Sequence, residues 1–83
     1  MKKITIYSTR ICPYCVRAKN FFDKKNIKYT EIMIDQDPSL INEMIEKSGR
    51  QSVPQIFIGD YHVGGFDDLI EHDMDGKLEG LLN

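Results

Sequence analysis

The sequence predicts an α/β fold, a small mixed sheet flanked by helices, and three observations predict it. Short runs rich in β-branched and aromatic residues alternate with runs at helical spacing. The first three such runs read strand, helix, strand, the βαβ unit whose right-handed crossover leaves its two strands parallel. Two further strand-like runs are separated only by Gly59-Asp60 and read as a hairpin. The chain of 83 residues is read as a single domain spanning 1–83, with room for one hydrophobic core and no second lobe.

Each element has its own signal. Lys3-Ile4-Thr5-Ile6-Tyr7 is short and β-rich, and Ile4 to Tyr7 is the first predicted strand. Tyr14 to Asn26 runs at helical spacing, with Val16, Ala18, Phe21 and Phe22 as expected inward positions and Asn26 as a left-handed terminator. Tyr29 to Ile34 alternates and is the second strand. Asp37-Pro38 reads as an N-cap followed by a first-turn proline, and Leu40, Ile41, Met44 and Ile45 give an amphipathic helix that Gly49 stops. Gln55 to Ile58 and Tyr61 to Val63 form the hairpin. Gly64-Gly65 leads into a third helix from about Asp67, and a second short helix is expected after Gly76.

Composition narrows the function classes. The formal charge of −2 with mixed surface signs gives no basic stripe, so nucleic acid is not an expected partner. Met1-Lys2-Lys3 passes directly into a strand rather than a long apolar run, which argues against a signal peptide or membrane anchor and makes the cytoplasm the expected location. No internal repeat or low-complexity segment divides the chain.

Both cysteines lie in Cys12-Pro13-Tyr14-Cys15, where the first strand hands over to the first helix. A thiol at a helix N-terminus meets unpaired backbone N–H groups and the positive end of the macrodipole, and both favour thiolate. Pro13 suits the first helical position, where its missing N–H has no intrahelical partner to lose. Such settings lower a cysteine pKa from about 8.5 to roughly 3.5–7.5, so Cys12 is expected to be mostly thiolate and a good leaving group. Cys12 is read as the exposed, activated sulfur and Cys15 as half-buried. Redox chemistry competes here with half a zinc site and with two inert buried thiols. Zinc needs two more ligands, and His62 and His72 do not stand at finger-like spacing. A disulfide closing so short a loop is also a weak staple. The redox reading is favoured, and CxxC beside a βαβ pattern is a thioredoxin-like signal.

With Ser52-Val53-Pro54, Gly64-Gly65 and Asp67-Asp68 following in order, the chain resembles a dithiol glutaredoxin of the small bacterial type over essentially its whole length. The resemblance implies a thioredoxin-like fold with a four-stranded mixed sheet in the order 2-1-3-4. It also implies glutathione-dependent reduction of glutathione mixed disulfides and protein disulfides by a monomer, with no metal. In glutaredoxin-like proteins the bond before the proline at position 54 is cis, which implies that Val53 presents its main chain beside the reactive sulfur, ready to pair with an incoming cysteinyl backbone. Ser52 belongs to the same loop. Gly64 and Gly65 permit close backbone approach, and N–H groups of Phe66 and Asp67 open a helix that can grip a carboxylate. Asp67 supplies an acidic side chain for the adjacent ammonium of the γ-glutamyl end, with Asp68 as neighbour. Tyr14 borders the groove.

Each of these has a plainer structural reading: Pro54 as a loop stiffener, Asp67 as an N-cap, Gly64-Gly65 as a turn, Tyr14 as a half-packed surface aromatic. His62 is read as a strand-face residue and His72 as a solvated helix residue. The chain also departs from its look-alikes. Thr9 stands where many carry Lys or Arg, Ile41 where a Gln or Arg often meets the glycine carboxylate of glutathione, and Phe66 where some have Cys or Ser. That carboxylate is left to Arg10, Lys19 or Arg50, with Arg10 also a candidate for stabilising the thiolate.

The mechanism implied has Cys12 take glutathione as a mixed disulfide that a second glutathione releases, with Cys15 resolving mixed disulfides to proteins. Ribonucleotide reductase is a candidate protein partner by resemblance alone. Two rivals stand beside this reading. An iron-sulfur carrier would share a cluster between two chains through Cys12, and Pro13 and Cys15 argue against it. A thioredoxin fed by a flavoprotein reductase is disfavoured by Pro13-Tyr14 and by the glutathione-like site.

Overall fold

In the computed structural model, which describes residues 2–83, the chain runs β1 (Ile4–Ser8), α1 (Pro13–Lys24), β2 (Thr30–Met33), α2 (Pro38–Ser48), β3 (Gln55–Ile58), β4 (Tyr61–Gly64), α3 (Phe66–Met74) and α4 (Lys77–Leu82). The four strands make one mixed sheet in the order β2-β1-β3-β4, as the resemblance implied. β1 pairs in parallel with β2, Tyr7 opposite Ile32, and antiparallel with β3, Ile6 opposite Ile56. β3 and β4 close the hairpin through Gly59, whose φ of 59° suits a residue without Cβ.

Successive strand residues face opposite ways, so β1 and β3 each feed two layers. Ile4, Ile6, Ile56 and Ile58 pack under α1, α3 and α4 with Ala18, Phe22, Leu69, Leu78 and Leu82. Tyr7 and Phe57 face the other way, toward Met44 of α2 and Ile34. Burying each large apolar side chain stabilises the fold by roughly 1.5–3 kcal/mol relative to leaving it exposed. The two central strands are therefore fixed from both sides, and the loops at their ends inherit that rigidity.

Helix faces differ from expectation by single steps. On α1 the buried stripe is Cys15, Ala18 and Phe22, at spacings of three and four, while Val16 turns outward at 47 % exposure. Ile41 on α2 is likewise exposed rather than inward. Asn26 adopts the expected left-handed conformation with φ of 58°. β2 stops at Met33, because Ile34–Gln36 wind into a 3-10 turn that swings Ile34 into the core. Asp37 caps α2 as expected, its carboxylate accepting the Ser39 N–H at 2.9 Å, and Gly49 ends that helix with φ of 72°. α3 opens at Phe66, one residue earlier than expected. No helix among the described residues is long and apolar enough to cross a membrane.

Candidate active site

Cys12 is the N-cap of α1, in extended backbone just after β1, and Pro13 takes the first helical position. Its sulfur accepts the Cys15 N–H at 3.1 Å, so one of the orphan donors of the helix start is aimed at it. That contact is the physical basis for stabilising negative charge there, together with the helix dipole. The two cysteines form a disulfide, with their Cα atoms 5.2 Å apart. Exposure corrects the sequence reading. Cys12 is only 9 % exposed and Cys15 is fully covered, rather than open and half-buried respectively. The Cys12 sulfur is hemmed by its disulfide partner, by the helix start and by the Val53 carbonyl at 3.8 Å. What stands open is the flank: Ile11 is 90 % exposed and Tyr14 half-exposed.

Beside the disulfide lies a groove of about 300 Å³ lined by Tyr14, Arg50, Ser52, Val53, Pro54, Gly65, Phe66, Asp67 and Asp68. Three separate stretches of chain meet there: the first turn of α1, the loop before β3, and the start of α3. The Val53–Pro54 peptide is cis. Tyr14 and Phe66 rings approach to 6.2 Å across the groove, and the Arg17 guanidinium stands 5.1 Å from the Tyr14 ring centroid. Contacts with an aromatic and with a cation restrain the ring as a groove wall.

The two adjacent acids divide their work. Asp68 reaches back to accept the Gly65 N–H at 2.8 Å and the Arg50 guanidinium at 2.9 Å. Capping of α3 therefore falls to Asp68, three positions into the helix, and Asp67 is not its cap. The Gly65 N–H, and then Arg50, hold the Asp68 carboxyl below the usual carboxylate range against the opposing effect of burial. Gly64, with φ of 115°, leaves the space that the Asp68 carboxylate fills. Asp67 is exposed and lines the groove. The N–H groups of Phe66 and Asp67, at the first two helical positions, have no intrahelical acceptor by geometry.

Of the three cations considered for the glycine carboxylate, Arg50 alone lines the groove. Arg10 pairs with Asp35, Nε to Oδ2 at 3.6 Å, and Lys19 with Glu31 at 2.8 Å. Arg50 is itself shared with Asp68. Among the described residues no three of His, Cys, Asp and Glu converge as a metal-binding group.

Sequence reasoning missed the supports of the Ser52–Pro54 loop. Gln55 is fully buried, and its amide nitrogen donates to the Ser52 carbonyl at 3.0 Å and lies 3.2 Å from Ser52 Oγ. His62 bonds the other end of that amide at 2.8 Å and stacks on Phe57, centroids 4.8 Å apart. Burial, and then Arg50, push the His62 imidazole below its ordinary pKa, opposed by Asp68. A lone polar residue heading the apolar run Ile56-Phe57-Ile58 was the available signal. His72 is not merely solvated either: its ring bonds the Asp68 carbonyl at 2.7 Å and the Tyr61 hydroxyl at 2.8 Å.

The family sequence model described as Glutaredoxin matches residues 4–63, from β1 into β4. A glutaredoxin of Pseudomonas aeruginosa is 46 % identical over 83 residues, covering 100 % of this chain and 99 % of the relative. Glutaredoxin 3 of Escherichia coli is 45 % identical over 82 residues, 99 % of each. Among solved structures, the solution structure of a Brucella melitensis glutaredoxin superposes with a TM-score of 0.86 at 48 % identity, over 99 % of this chain and 89 % of that one. A buckwheat glutaredoxin–glutathione complex gives 0.88 at 33 % identity, over 98 % and 76 %. Agreement of that extent in sequence and backbone alike makes this chain a member of the glutaredoxin family, and its paired cysteines give it that family's activity, glutathione-dependent thiol–disulfide exchange.

Proposed function

We propose that Cys12 is the attacking sulfur, that Cys15 is the resolving one, and that glutathione occupies the groove beside them. One observation carries the reading: the groove lined by Tyr14, Ser52–Pro54 and Gly65–Asp68 adjoins the Val53 carbonyl, itself 3.8 Å from the Cys12 sulfur. The chemistry of the lining matches the ligand. The γ-glutamyl carboxylate meets the Phe66 and Asp67 N–H groups, its ammonium meets the Asp67 carboxylate, and the cysteinyl main chain pairs with Val53 as a short added strand would. Tyr14 covers the glutathione backbone. Pro13, Gly64 and Asp68 hold the elements that present these groups, and Arg10, bonded to Asp35, steadies the loop before Cys12. The buckwheat relative, crystallised as a glutathione complex, supports the ligand assignment.

In the reaction, the Cys12 thiolate attacks the glutathione sulfur of a glutathionylated protein. A Cys12–glutathione disulfide forms as the old S–S bond breaks, and the protein leaves as thiolate. A second glutathione thiolate attacks that sulfur pair, releases Cys12 as thiolate and departs as glutathione disulfide. With a protein disulfide, Cys12 first forms a mixed disulfide to the protein, and Cys15 displaces it to give the Cys12–Cys15 disulfide. Two glutathione molecules then supply the two electrons that reopen it. Glutaredoxin couples lie at about −200 to −230 mV, within reach of the cytosolic glutathione pool. Glutathionylated proteins and disulfide-bearing thiol enzymes, ribonucleotide reductase among them, are the partners this chemistry serves, with a single-domain monomer acting in the cytoplasm.

The test compares Cys12→Ser with Cys15→Ser on a glutathionylated peptide and on a protein disulfide. Cys12→Ser loses both activities, whereas Cys15→Ser keeps the first and loses the second. Equal loss of deglutathionylation in the two variants would refute the division of labour.

A further inference from the structure

Gln55 is fully buried at the head of β3, immediately after the Val53–Pro54 peptide that borders the proposed glutathione groove. A buried amide has to satisfy its donors and its acceptor. Its nitrogen faces Ser52, donating to the carbonyl at 3.0 Å with the hydroxyl 3.2 Å away. Its oxygen consequently faces His62, 2.8 Å from Nε2. An amide oxygen only accepts, so the His62 Nε2 carries the proton and donates. The imidazole is in turn stacked on Phe57, centroids 4.8 Å apart and planes 30° from parallel. A continuous chain of contacts thus runs from the sheet, through Phe57, His62 and Gln55, to the main chain of Ser52. Ser52 itself is exposed, with no other side chain bonding it among the described residues.

We infer that Gln55 and His62 are positioning residues for the redox reaction: together they fix the Ser52 main chain, and through it the Val53 backbone, at the height where it pairs with glutathione. The inference rests on the proposed placement of glutathione along Ser52–Pro54. Neither residue touches the ligand. Gln55 acts as a two-ended clamp: the Ser52 carbonyl, which only accepts, sets which way the amide faces, and His62 holds the oxygen end. Reversing the amide would set its oxygen against the Ser52 carbonyl, so the bond to Ser52 favours one amide orientation and the strand-to-strand bond to His62 holds it.

The experiment uses the full-length protein with Gln55→Met, which keeps apolar volume in the core, His62→Phe, which keeps a ring on Phe57 but withdraws the donor, and the double variant. Steady-state kinetics on a glutathionylated peptide are read as KM and kcat separately. Backbone amide shifts of the reduced proteins are followed during titration with S-methylglutathione, which binds without exchanging. Wild type is expected to shift at Ser52, Val53, Gly65 and Phe66. Gln55→Met is expected to raise KM about five- to tenfold with kcat within about twofold, the scale of one lost hydrogen bond, and to weaken the shifts at Ser52 and Val53. His62→Phe should act in the same direction by about two- to fivefold. It should add less than about twofold in the Gln55→Met background, since the bond it breaks is already gone. Variants that match wild type in KM and in shifts overturn the clamp while leaving the glutathione site standing. Fold-changes that multiply in the double variant do the same. Absence of wild-type shifts at Ser52 and Val53 overturns the site and the clamp together.

Discussion

Removing the Asp68 side chain should loosen the start of α3 by an amount its contacts define. The carboxylate accepts the Gly65 N–H at 2.8 Å and pairs with Arg50 at 2.9 Å. Losing a helix cap costs about 1 kcal/mol. The ion pair, with side chains 49 % and 35 % exposed, adds only about 0–1 kcal/mol because water screens it. Asp68→Ala is therefore expected to cost about 1.5 kcal/mol, or roughly 6–12 °C in Tm for a chain of this size. Asp68→Asn keeps an oxygen for Gly65 and loses the charge, so it should cost less. The acidity of the group gives a second, independent reading. Its carboxyl is depressed in the folded protein by the Gly65 N–H and then by Arg50, so the unfolded chain binds that proton more tightly. Its charge-dependent contribution is then complete above an unfolded pKa of about 3.9 and drains away as pH falls through the lower folded value. Urea unfolding of the oxidised proteins, followed by circular dichroism from pH 7 down to pH 2.5, should show wild type and Asp68→Asn converging at the acid end. A gap between them that stays constant over that range would refute the assignment, as would an Asp68→Ala midpoint indistinguishable from wild type.

Two other substitutions separate the acids and the glycine beside them. Asp67→Ala should raise the Michaelis constant for glutathione while leaving stability within about 0.5 kcal/mol, as for a surface position without structural partners; an unchanged constant in a coupled glutathione assay would remove Asp67 from the site. Gly64→Ala places a Cβ against the Asp68 carboxylate on a backbone with φ of 115°, and strain of about 1–2 kcal/mol plus a displaced cap of about 1 kcal/mol should destabilise the fold. In an Asp68→Ala background the same change should cost distinctly less by denaturant midpoint, and equal costs in the two backgrounds would contradict the contact.

The order of elements was readable because strand and helix write different periods into a sequence, and the sheet order came with the resemblance. Ile4, Ile6, Ile56 and Ile58 fall on one face for the same reason that Tyr7 and Phe57 fall on the other. Turn chemistry was equally legible: Asp37 caps α2 through its carboxylate, Gly49 takes the left-handed conformation that the lack of a Cβ permits, and Asn26 takes the same conformation, which its short amide tolerates. What failed was resolution finer than one residue on a helix. A step of one position rotates a side chain by about 100°, enough to turn Val16 outward while Cys15, the residue before it, turns fully inward.

The same rotation explains why composition could not divide Asp67 from Asp68. Only the third helical position can reach back to the N-cap amide, so Asp68 is taken up by its own helix while Asp67 stays exposed on the groove. Burial of Cys12 was illegible for a different reason. Part of the cover comes from the Val53 carbonyl, remote in sequence, and is added to that of the disulfide partner and the helix start, so the motif Cys12-Pro13-Tyr14-Cys15 does not by itself reveal it. Gln55 and His62 govern that loop from inside the sheet. Around the disulfide the exposed side chains are those of Ile11 and Tyr14, 90 % and 51 % accessible. The core thus reaches the edge of the groove through the Gln55 amide, bonded to Ser52 at one end and to His62 at the other.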